Sequence, residues 1–439
     1  MIALFIGTFF VFMLFLGLPI AYSTLGSVLI IPLFFSAAPF SFADITQWAT
    51  LSAVQSTAVT GVTILFFIMA GNVMADGKLT EKIFDTFAYF LGKRRGFMPI
   101  VSILTCMFYG AISGSGPATT AAVGAMCYPI LVKLGYEKKF SAAILTCAGC
   151  LGMVIPPSIP LAGAAGIATV YTGIEVDVGG LYKIAAVFGC ICGLVLIGYA
   201  YLHCMRHGNG NEAEILAHNN ALRTRSFGSI LKESIWAILT PVIILGGIFS
   251  GLLDTMEAGA VSLIYGAFVA MFVYKSMDLK GFMGSLVQSL RSAAPLLSML
   301  ALANCFGQAM ISLDITTMAS DALQSAGLSV TMVIVTVLVM MLILGMFMDG
   351  GGALGILVPL FLPLIYAMGG EIYSFLVALI ICQAIGLTTP PFGMSLFTMC
   401  SISDLPIADL SKKALPLIFL LIAVAMAVGL FPALSAWAL

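Results

Sequence analysis

The sequence predicts an all-α polytopic membrane protein made of two inverted repeats of about five spans each, with two re-entrant hairpins and two broken helices. Three observations predict it: the composition, a recurrence of Gly and Pro along the chain, and the placement of Lys and Arg. Of 439 residues, 61% are hydrophobic and 8% charged, whereas a soluble domain carries about 25% charged residues. A disordered chain, low in hydrophobicity and high in charge, is excluded on the same figures. A spanning helix uses about 20 apolar residues, so there is room for roughly ten to fourteen segments. The apolar runs are continuous rather than alternating, which disfavours a transmembrane β-barrel. With 18 Lys and Arg against 19 Asp and Glu, the net charge is −1. That leaves no basic footprint for nucleic acid.

The chain starts apolar at Ile2 with no basic segment before it. It reads as a first span rather than a cleaved signal, and no soluble domain is expected. Most of the 10 cysteines, Cys106, Cys127, Cys190, Cys192, Cys305 and Cys382 among them, sit inside apolar runs. They read as free thiols packed as small hydrophobes, as do Cys147 and Cys150 despite their CxxC spacing.

A polar stretch from His203 to Lys232 cannot lie in the bilayer. It divides the chain into a first repeat, 1–205, a cytoplasmic connector, 206–234, and a second repeat, 235–439. Shifting the first repeat by 234 residues aligns Gly116 with Gly350, Pro129 with Pro363, Gly135 with Gly369 and Glu137 with Glu371. The same shift aligns Gly152 with Gly386, Pro156 with Pro390 and Pro157 with Pro391. Internal repeats of this kind mark secondary transporters.

Basic residues gather in cytoplasmic loops. Lys78, Lys82, Lys93, Arg94 and Arg95 precede segment 96–132, and Lys133, Lys138 and Lys139 follow it. Both of its flanks are therefore expected inside. From Ser292 to Ser411 there is no Lys or Arg, and the polar breaks carry Asp314, Asp321 and Glu371. The matching segment, 328–368, then has both flanks outside, and the repeats face opposite ways.

Each of these two segments starts and ends on one side, and 96–132 is short for two spans. Their centres are Ser113-Gly114-Ser115-Gly116-Pro117 and Asp349-Gly350-Gly351-Gly352. A re-entrant hairpin with its tip near the midplane accounts for both; two spans joined by a Gly-rich turn is the plainer alternative. The following runs, 140–170 and 373–400, are interrupted by Pro156-Pro157 and Pro390-Pro391. A proline doublet removes backbone donors and unwinds a helix. Unwound backbone at membrane depth is tolerated only where it is buried in protein or lines a cavity. Before the hairpins, Asp44–Val54 with Trp48 and Lys280–Arg291 with Phe282 read as interfacial amphipathic helices or, more plainly, as loops.

Broken helices expose carbonyls that attract a small cation such as Na⁺, and N–H groups that attract an anion. Hydroxyls of Ser113, Ser115, Ser158, Thr388 and Thr389 add hard oxygen ligands. Asp349 is a carboxylate at a hairpin tip, a position that invites function: completing a Na⁺ site, carrying a proton, or capping the hairpin helix. No Lys or Arg lies within 96–132, 140–182 or 292–411. An anionic substrate there would depend on helix ends, hydroxyls and co-bound cations. Asn72, Asn304 and Gln308 either line the substrate path or bond across helices, the second being the commoner role. His203, His207 and His218 read as solvated.

The motifs Tyr109-Gly-Ala-Ile-Ser-Gly-Ser-Gly-Pro-Ala-Thr119, Met153-Val-Ile-Pro-Pro-Ser-Ile159, Met348-Asp-Gly-Gly-Gly352 and Thr388-Thr-Pro-Pro-Phe-Gly393 occur in this order, after Gly17-Leu-Pro-Ile-Ala21. In them the chain resembles, over essentially its full length, the large membrane subunit of tripartite ATP-independent periplasmic (TRAP) transporters. The resemblance implies a scaffold and a mobile transport domain working as an elevator in the bacterial inner membrane. It implies a small four-helix membrane subunit and a periplasmic substrate-binding protein as partners, and uptake of a small organic anion driven by Na⁺ at two or more sites. Carried over, one Na⁺ site would involve Ser113, Gly114, Ser115, Pro156 and Ser158. The other would involve Asp349, Gly350, Gly351, Thr388 and Thr389. Substrate would sit between the tips, near Ser113, Ser115, Gly116, Pro117, Gly351 and Gly352, with Asn72 and Asn304 nearby. The family's more usual Ser-Ser-Pro is Ser115-Gly116-Pro117 here, one hydroxyl fewer. A H⁺-coupled carrier and an anion channel are the alternatives. An intramembrane enzyme is disfavoured, because there is no HExxH motif, no second carboxylate like Asp349 and no His expected within a span.

Overall fold

The computed structural model describes the chain from residue 20 to 436 with interruptions. Outside the description lie 1–19 except 4, 5, 7, 8 and 12, and also 36–37, 55, 78, 92–96, 173–175, 209, 212, 216, 218–226, 315–317, 319–320, 322–326, 348–349 and 437–439. The expected first span therefore falls largely outside it, as do Asp349 and His218, and the side chain of Asn304 is not described.

The described elements are helices. The first repeat contributes α1 (Ile20–Phe34), α2 (Phe42–Val54), α3 (Ser56–Asp76), α4 (Leu79–Leu91), α5 (Phe97–Ser113), α6 (Gly116–Lys133), α7 (Lys138–Cys150), α8 (Ile159–Thr172) and α9 (Val178–His207). The second contributes α10 (Phe227–Phe249), α11 (Thr255–Phe268), α12 (Leu279–Ser312), α13 (Val330–Phe347), α14 (Gly350–Ala367), α15 (Ile372–Gly386), α16 (Met394–Ser403) and α17 (Ile407–Leu430). Among the described residues five helices combine 18 or more residues with an apolar composition: Val178–His207, Leu231–Phe249, Thr255–Val273, Val330–Phe347 and Ile407–Leu430. Apolar side chains stand exposed along them, Leu194, Ile264 and Phe419 among them, as a lipid-facing surface requires.

The two hairpins are α5–α6 and α13–α14, whose arms pack on each other. An arm of 17 residues is about 26 Å long at 1.5 Å per residue, short of a hydrocarbon core of about 30 Å even before tilting. The two broken helices are α7–α8 and α15–α16, separated at Pro156-Pro157 and Pro390-Pro391, and both doublets are joined by cis peptide bonds.

The packing is reciprocal. The outgoing arm of the first hairpin, α6, lies on α16, the second half of the other repeat's broken helix. The outgoing arm of the second hairpin, α14, lies on α8, the corresponding half in the first repeat. Two copies related by a two-fold axis exchange contacts in this way. Glycine makes a matching contact in each copy. A Cβ on Gly110 would stand 2.6 Å from Gly152 Cα, and one on Gly386 would stand 2.7 Å from Gly345 Cα. In both repeats, the incoming hairpin arm therefore touches the broken helix backbone to backbone.

The starts of the two broken helices use their matched glutamates differently. Glu371 caps α15, accepting from Tyr373 N at 2.8 Å and Ser374 N at 2.6 Å. Glu137 precedes α7 but makes no side-chain cap. It pairs instead with Lys413 of α17 at 2.8 Å, beside the Lys139–Asp409 pair at 3.0 Å. Beyond α9 the chain returns over the base of the first hairpin, where Asn211 N–H donates to Leu134 O at 2.8 Å.

Three expectations are corrected. The segment Lys280–Arg291 is neither a loop nor a separate interfacial helix: it is the start of α12, which runs for 34 residues and continues past Pro295 into the apolar stretch beyond. Its counterpart with Trp48 lies in α2, which is described to Val54, residue 55 being outside the description. His203 is not solvated and lies on a long apolar helix: its ring stacks on Phe140 at 4.0 Å and on His207 at 4.3 Å, with its side chain 9% exposed. Cys190 is exposed, while Cys106, Cys127, Cys192, Cys305 and Cys382 are buried as free thiols.

Candidate functional site

The first hairpin turns at Gly114 and Ser115. α5 ends at Ser113, and Gly114 takes a φ of +61°, the left-handed conformation that costs any residue with a Cβ. Space forbids a side chain there as well: a Cβ on Gly114 would lie 2.7 Å from Pro157 O and 3.0 Å from Ile159 Cγ1. The tip is thus seated directly on the break in the first broken helix. Ser115 precedes α6 as its N-cap residue, with extended backbone, yet its side chain makes no capping bond. Pro117 opens the helix behind it, where a missing N–H is harmless.

Oxygen atoms gather behind this tip. Ser113 Oγ and Thr119 Oγ1 are 2.9 Å apart, and Thr119 Oγ1 donates to Ser115 O at 2.7 Å. Thr119 is wholly buried and Ser113 nearly so. Gly152 closes the other side, where a Cβ would stand 2.8 Å from Ser115 O. Hydroxyls and carbonyls at this spacing are the ligand type that a hard monovalent or divalent cation takes. Among the described residues no three His, Cys, Asp or Glu side chains group as metal ligands. A cation held here would be held by neutral oxygens.

Within the first break, Ser158 is already engaged. Its hydroxyl donates to Met153 O and accepts from Leu161 N at 3.3 Å, so it spans the gap and caps α8. Its own carbonyl accepts from Tyr182 Oη at 3.1 Å. Pro156 belongs to the same buried break.

The second tip is described only in part. Gly350, Gly351 and Gly352 begin α14, and Asp349 lies outside the described residues. The adjoining break is well defined. Thr388 Oγ1 and Thr389 Oγ1 both donate to Ile385 O, at 2.8 and 2.7 Å, and a hydroxyl oxygen that donates can also accept. Gly393 N–H donates to Met346 O at 2.9 Å. That bond ties the second break to the incoming arm of the second hairpin.

A cavity of about 340 Å³ opens between these parts. Ser113, Gly114, Ser115 and Pro117 line it from the first tip, and Asn72 from α3. Leu387 and Met394 reach it from the second break, and Leu354 from just behind the second tip. No charged side chain is among the described lining residues. Asn72 does both things expected of it, facing the cavity and donating from Nδ2 to Ser289 Oγ of α12 at 2.9 Å. Gly116 is buried at the start of α6. Gln308 is half-buried on α12 and does not line the cavity. Thr119 and Ser292 are the residues that sequence reasoning missed. The signal for Thr119 was its place four residues after Ser115, which turns a hydroxyl back over the first turn of α6.

The comparisons with known proteins agree with one another. Residues 6–434 match the family model described as the tripartite ATP-independent periplasmic transporter, DctM component. The isethionate TRAP transporter permease protein DctMQ of Oleidesulfovibrio alaskensis is 34% identical over 84% of this chain. This chain spans only 56% of that protein's length. The C4-dicarboxylate TRAP transporter large permease protein DctM of Vibrio cholerae is 31% identical, covering 97% of this chain and 94% of that one. The sialic acid TRAP transporter large permease protein SiaM of Vibrio cholerae is 28% identical over 96% and 94%. In fold, the chain superimposes on the crystal structure of the Alcanivorax borkumensis YdaH transporter with a TM-score of 0.64 over 89% of each chain, at 14% identity.

Proposed function

Because the chain belongs to the DctM component family of the tripartite ATP-independent periplasmic transporters, permeases of the inner membrane, we propose that it is a Na⁺-coupled secondary carrier for a small organic anion, carboxylate or sulfonate. Its partners in this reading are a small four-helix membrane subunit and a periplasmic binding protein that delivers the anion. The relatives' names support the substrate class, since isethionate, C4-dicarboxylates and sialic acid are all organic acids or their anions.

The observation that carries the proposal is the cavity between the first hairpin tip and the second helix break, lined without a cationic side chain. Moving an anion out of water into such a place costs several kcal/mol unless something offsets it. The N-terminus of α6 and the hydroxyls at its start offset part. Na⁺ bound by Ser113, Ser115, Thr119 and the backbone of the Pro156-Pro157 break supplies the remainder on the first side. Asp349, Gly350, Gly351, Thr388 and Thr389 do so on the second, with Gly352 and Asn304 near the anion's path. Anion and cation each then make the other's binding favourable, which is the physical content of coupling.

The hairpins and broken helices, joined by reciprocal packing, form the body that moves. Helices α1–α4 and α10–α12 form the frame it slides against, giving an elevator cycle. No enzymatic step is required of any residue.

Uptake by the complex reconstituted in proteoliposomes tests this. An inward Na⁺ gradient should drive saturable accumulation of the delivered anion, and Asp349→Asn should weaken that drive while assembly persists. Unsaturable flux indifferent to Na⁺ would reject the carrier in favour of a channel.

A further inference from the structure

The contact between α3 and α12 is polar on one side of the cavity and apolar on the other. Resting on the carrier reading above, we propose that the polar side is the cytoplasmic exit route of Na⁺ from the first tip, with Asp76 the carboxylate that draws the ion along it.

α3 and α12 run antiparallel where they meet, and their polar side chains form a seam. Asn72 Nδ2 donates to Ser289 Oγ at 2.9 Å, and Ser289 Oγ donates to Ser285 O at 2.6 Å. Ser285 Oγ in turn donates to Asp76 Oδ2 at 2.5 Å. Both serines are buried. Asn72 and Ser292 line the central cavity, whereas Asp76 and Ser285 line a separate hollow of about 500 Å³. The seam therefore joins the cavity to the hollow. Asn72 and Asp76 are one helical turn apart, a step of about 6 Å. In the other direction along the same helices, Gly61 faces Leu297, where a Cβ would lie 3.1 Å from Leu297 Cδ2.

The hollow opens to the cytoplasm. Lys275 lines it, and Lys280 stands next to Gly281, which also lines it; basic residues mark that side. The repeat does not account for the carboxylate, because the positions matching Asn72 and Asp76 are Phe306 and Met310. Asp278 shares the hollow and accepts from Gly281 N at 2.7 Å. Two carboxylates against one lysine leave the hollow negative, which favours a cation and opposes an anion.

The seam begins at the first tip. A Cβ on Gly71 would lie 3.0 Å from Ser113 Cα, so Asn72, its neighbour, is beside the tip. On the facing wall Tyr109 lies one turn before Ser113, lines the cavity and is within electrostatic reach of Asp76. A cation leaving the oxygens of Ser113 and Ser115 meets the Asn72 amide and the Tyr109 hydroxyl, and then Asp76. Oxygens at each step replace part of the hydration shell, and the carboxylate lowers the barrier between the tip and water. Ser285 acts through Asp76 as a positioning residue.

The test uses the whole permease with its membrane partner in nanodiscs, and Na⁺ alone as the probe. Equilibrium binding of ²²Na⁺ gives the affinity, and rapid-mixing release of bound ²²Na⁺ into Na⁺-free buffer gives the exit rate. A residue of the route changes entry and exit together and leaves affinity alone; a ligand changes affinity. Asp76→Asn should slow release about tenfold while affinity shifts by less than about twofold. Asp76→Glu should release like the wild type, and Ser285→Ala should fall between. Release at the wild-type rate in Asp76→Asn, or a loss of affinity equal to the change in rate, would overturn the proposal and leave the carrier reading intact. Should Asp76→Asn not fold, Ser285→Ala decides, since it keeps the charge and removes only its hold: release at the wild-type rate overturns the route. A wild-type complex that binds no Na⁺ would overturn both readings.

Discussion

Gly110 and Gly152 meet backbone to backbone where the first hairpin crosses the first broken helix, so closely that a Cβ on Gly110 would stand 2.6 Å from Gly152 Cα. This contact, repeated by Gly345 and Gly386 in the second half, fixes each tip's distance from its helix break. The hydroxyl and carbonyl oxygens at the tip are held by that distance rather than by the tip's own short loop.

Gly152→Ala should therefore disturb the site more than a methyl group ordinarily would. Its Cβ would press on Ser115 O at 2.8 Å, and overpacking of this kind costs about 1–3 kcal/mol. The expected outcome is correctly inserted protein with uptake reduced by about tenfold or more, and Gly386→Ala should behave the same way. Uptake assays alongside membrane-fraction immunoblots check it; a pair of variants with undiminished uptake would show that the glycine contacts do not set the site.

Gly114→Ala combines two penalties. The left-handed φ of +61° costs an L-residue roughly 1–2 kcal/mol, and the methyl meets Pro157 O at 2.7 Å. Half-maximal uptake should need several-fold more Na⁺, because the tip can no longer sit on the break. An unchanged Na⁺ dependence, measured as initial rate against Na⁺ concentration, would argue against a cation at this tip.

Thr119 separates chemistry from packing. Thr119→Val keeps the shape but removes the hydroxyl that contacts Ser113 Oγ at 2.9 Å and Ser115 O at 2.7 Å. Loss of a ligand oxygen should raise the Na⁺ requirement by about tenfold, the equivalent of about 1.4 kcal/mol. Thr119→Ser should retain wild-type dependence. If both variants behave alike, the hydroxyl has no part in coupling.

Asp177 provides a contrast outside the site. It caps α9, accepting from Gly179 N at 2.9 Å and Gly180 N at 2.7 Å. Asp177→Ala should lower stability by about 1 kcal/mol, read as a fall in Tm, with the Na⁺ dependence of uptake unaltered.

Much of this architecture was legible in the chain because Gly and Pro act locally. Pro156-Pro157 and Pro390-Pro391 break helices wherever they occur, and Gly114 to Pro117 and Gly350 to Gly352 mark tips for the same reason. The spacing of these marks gave the repeat. Side chains brought together by packing were less legible. Ser292 reaches the cavity only because α12 lies against α3, a long-range fact no local pattern encodes. The stacking of His203 on Phe140 was hidden for the same reason. Lys280–Arg291 reads as a separate amphipathic element because its polarity changes at Ser292, but a change of polarity does not end a helix. The helical backbone of α12 carries on past both that change and Pro295, whose missing N–H takes away one bond of the ladder.

In the proposed cycle Na⁺ and the anion occupy adjoining places and strengthen each other. Equilibrium binding of radiolabelled Na⁺ to the purified complex, with and without a saturating transported anion, is the decisive measurement. Na⁺ should bind more tightly with the anion present, by the same factor by which Na⁺ tightens the anion, as linkage demands. Na⁺ affinity indifferent to the anion would rule out coupling through adjoining sites.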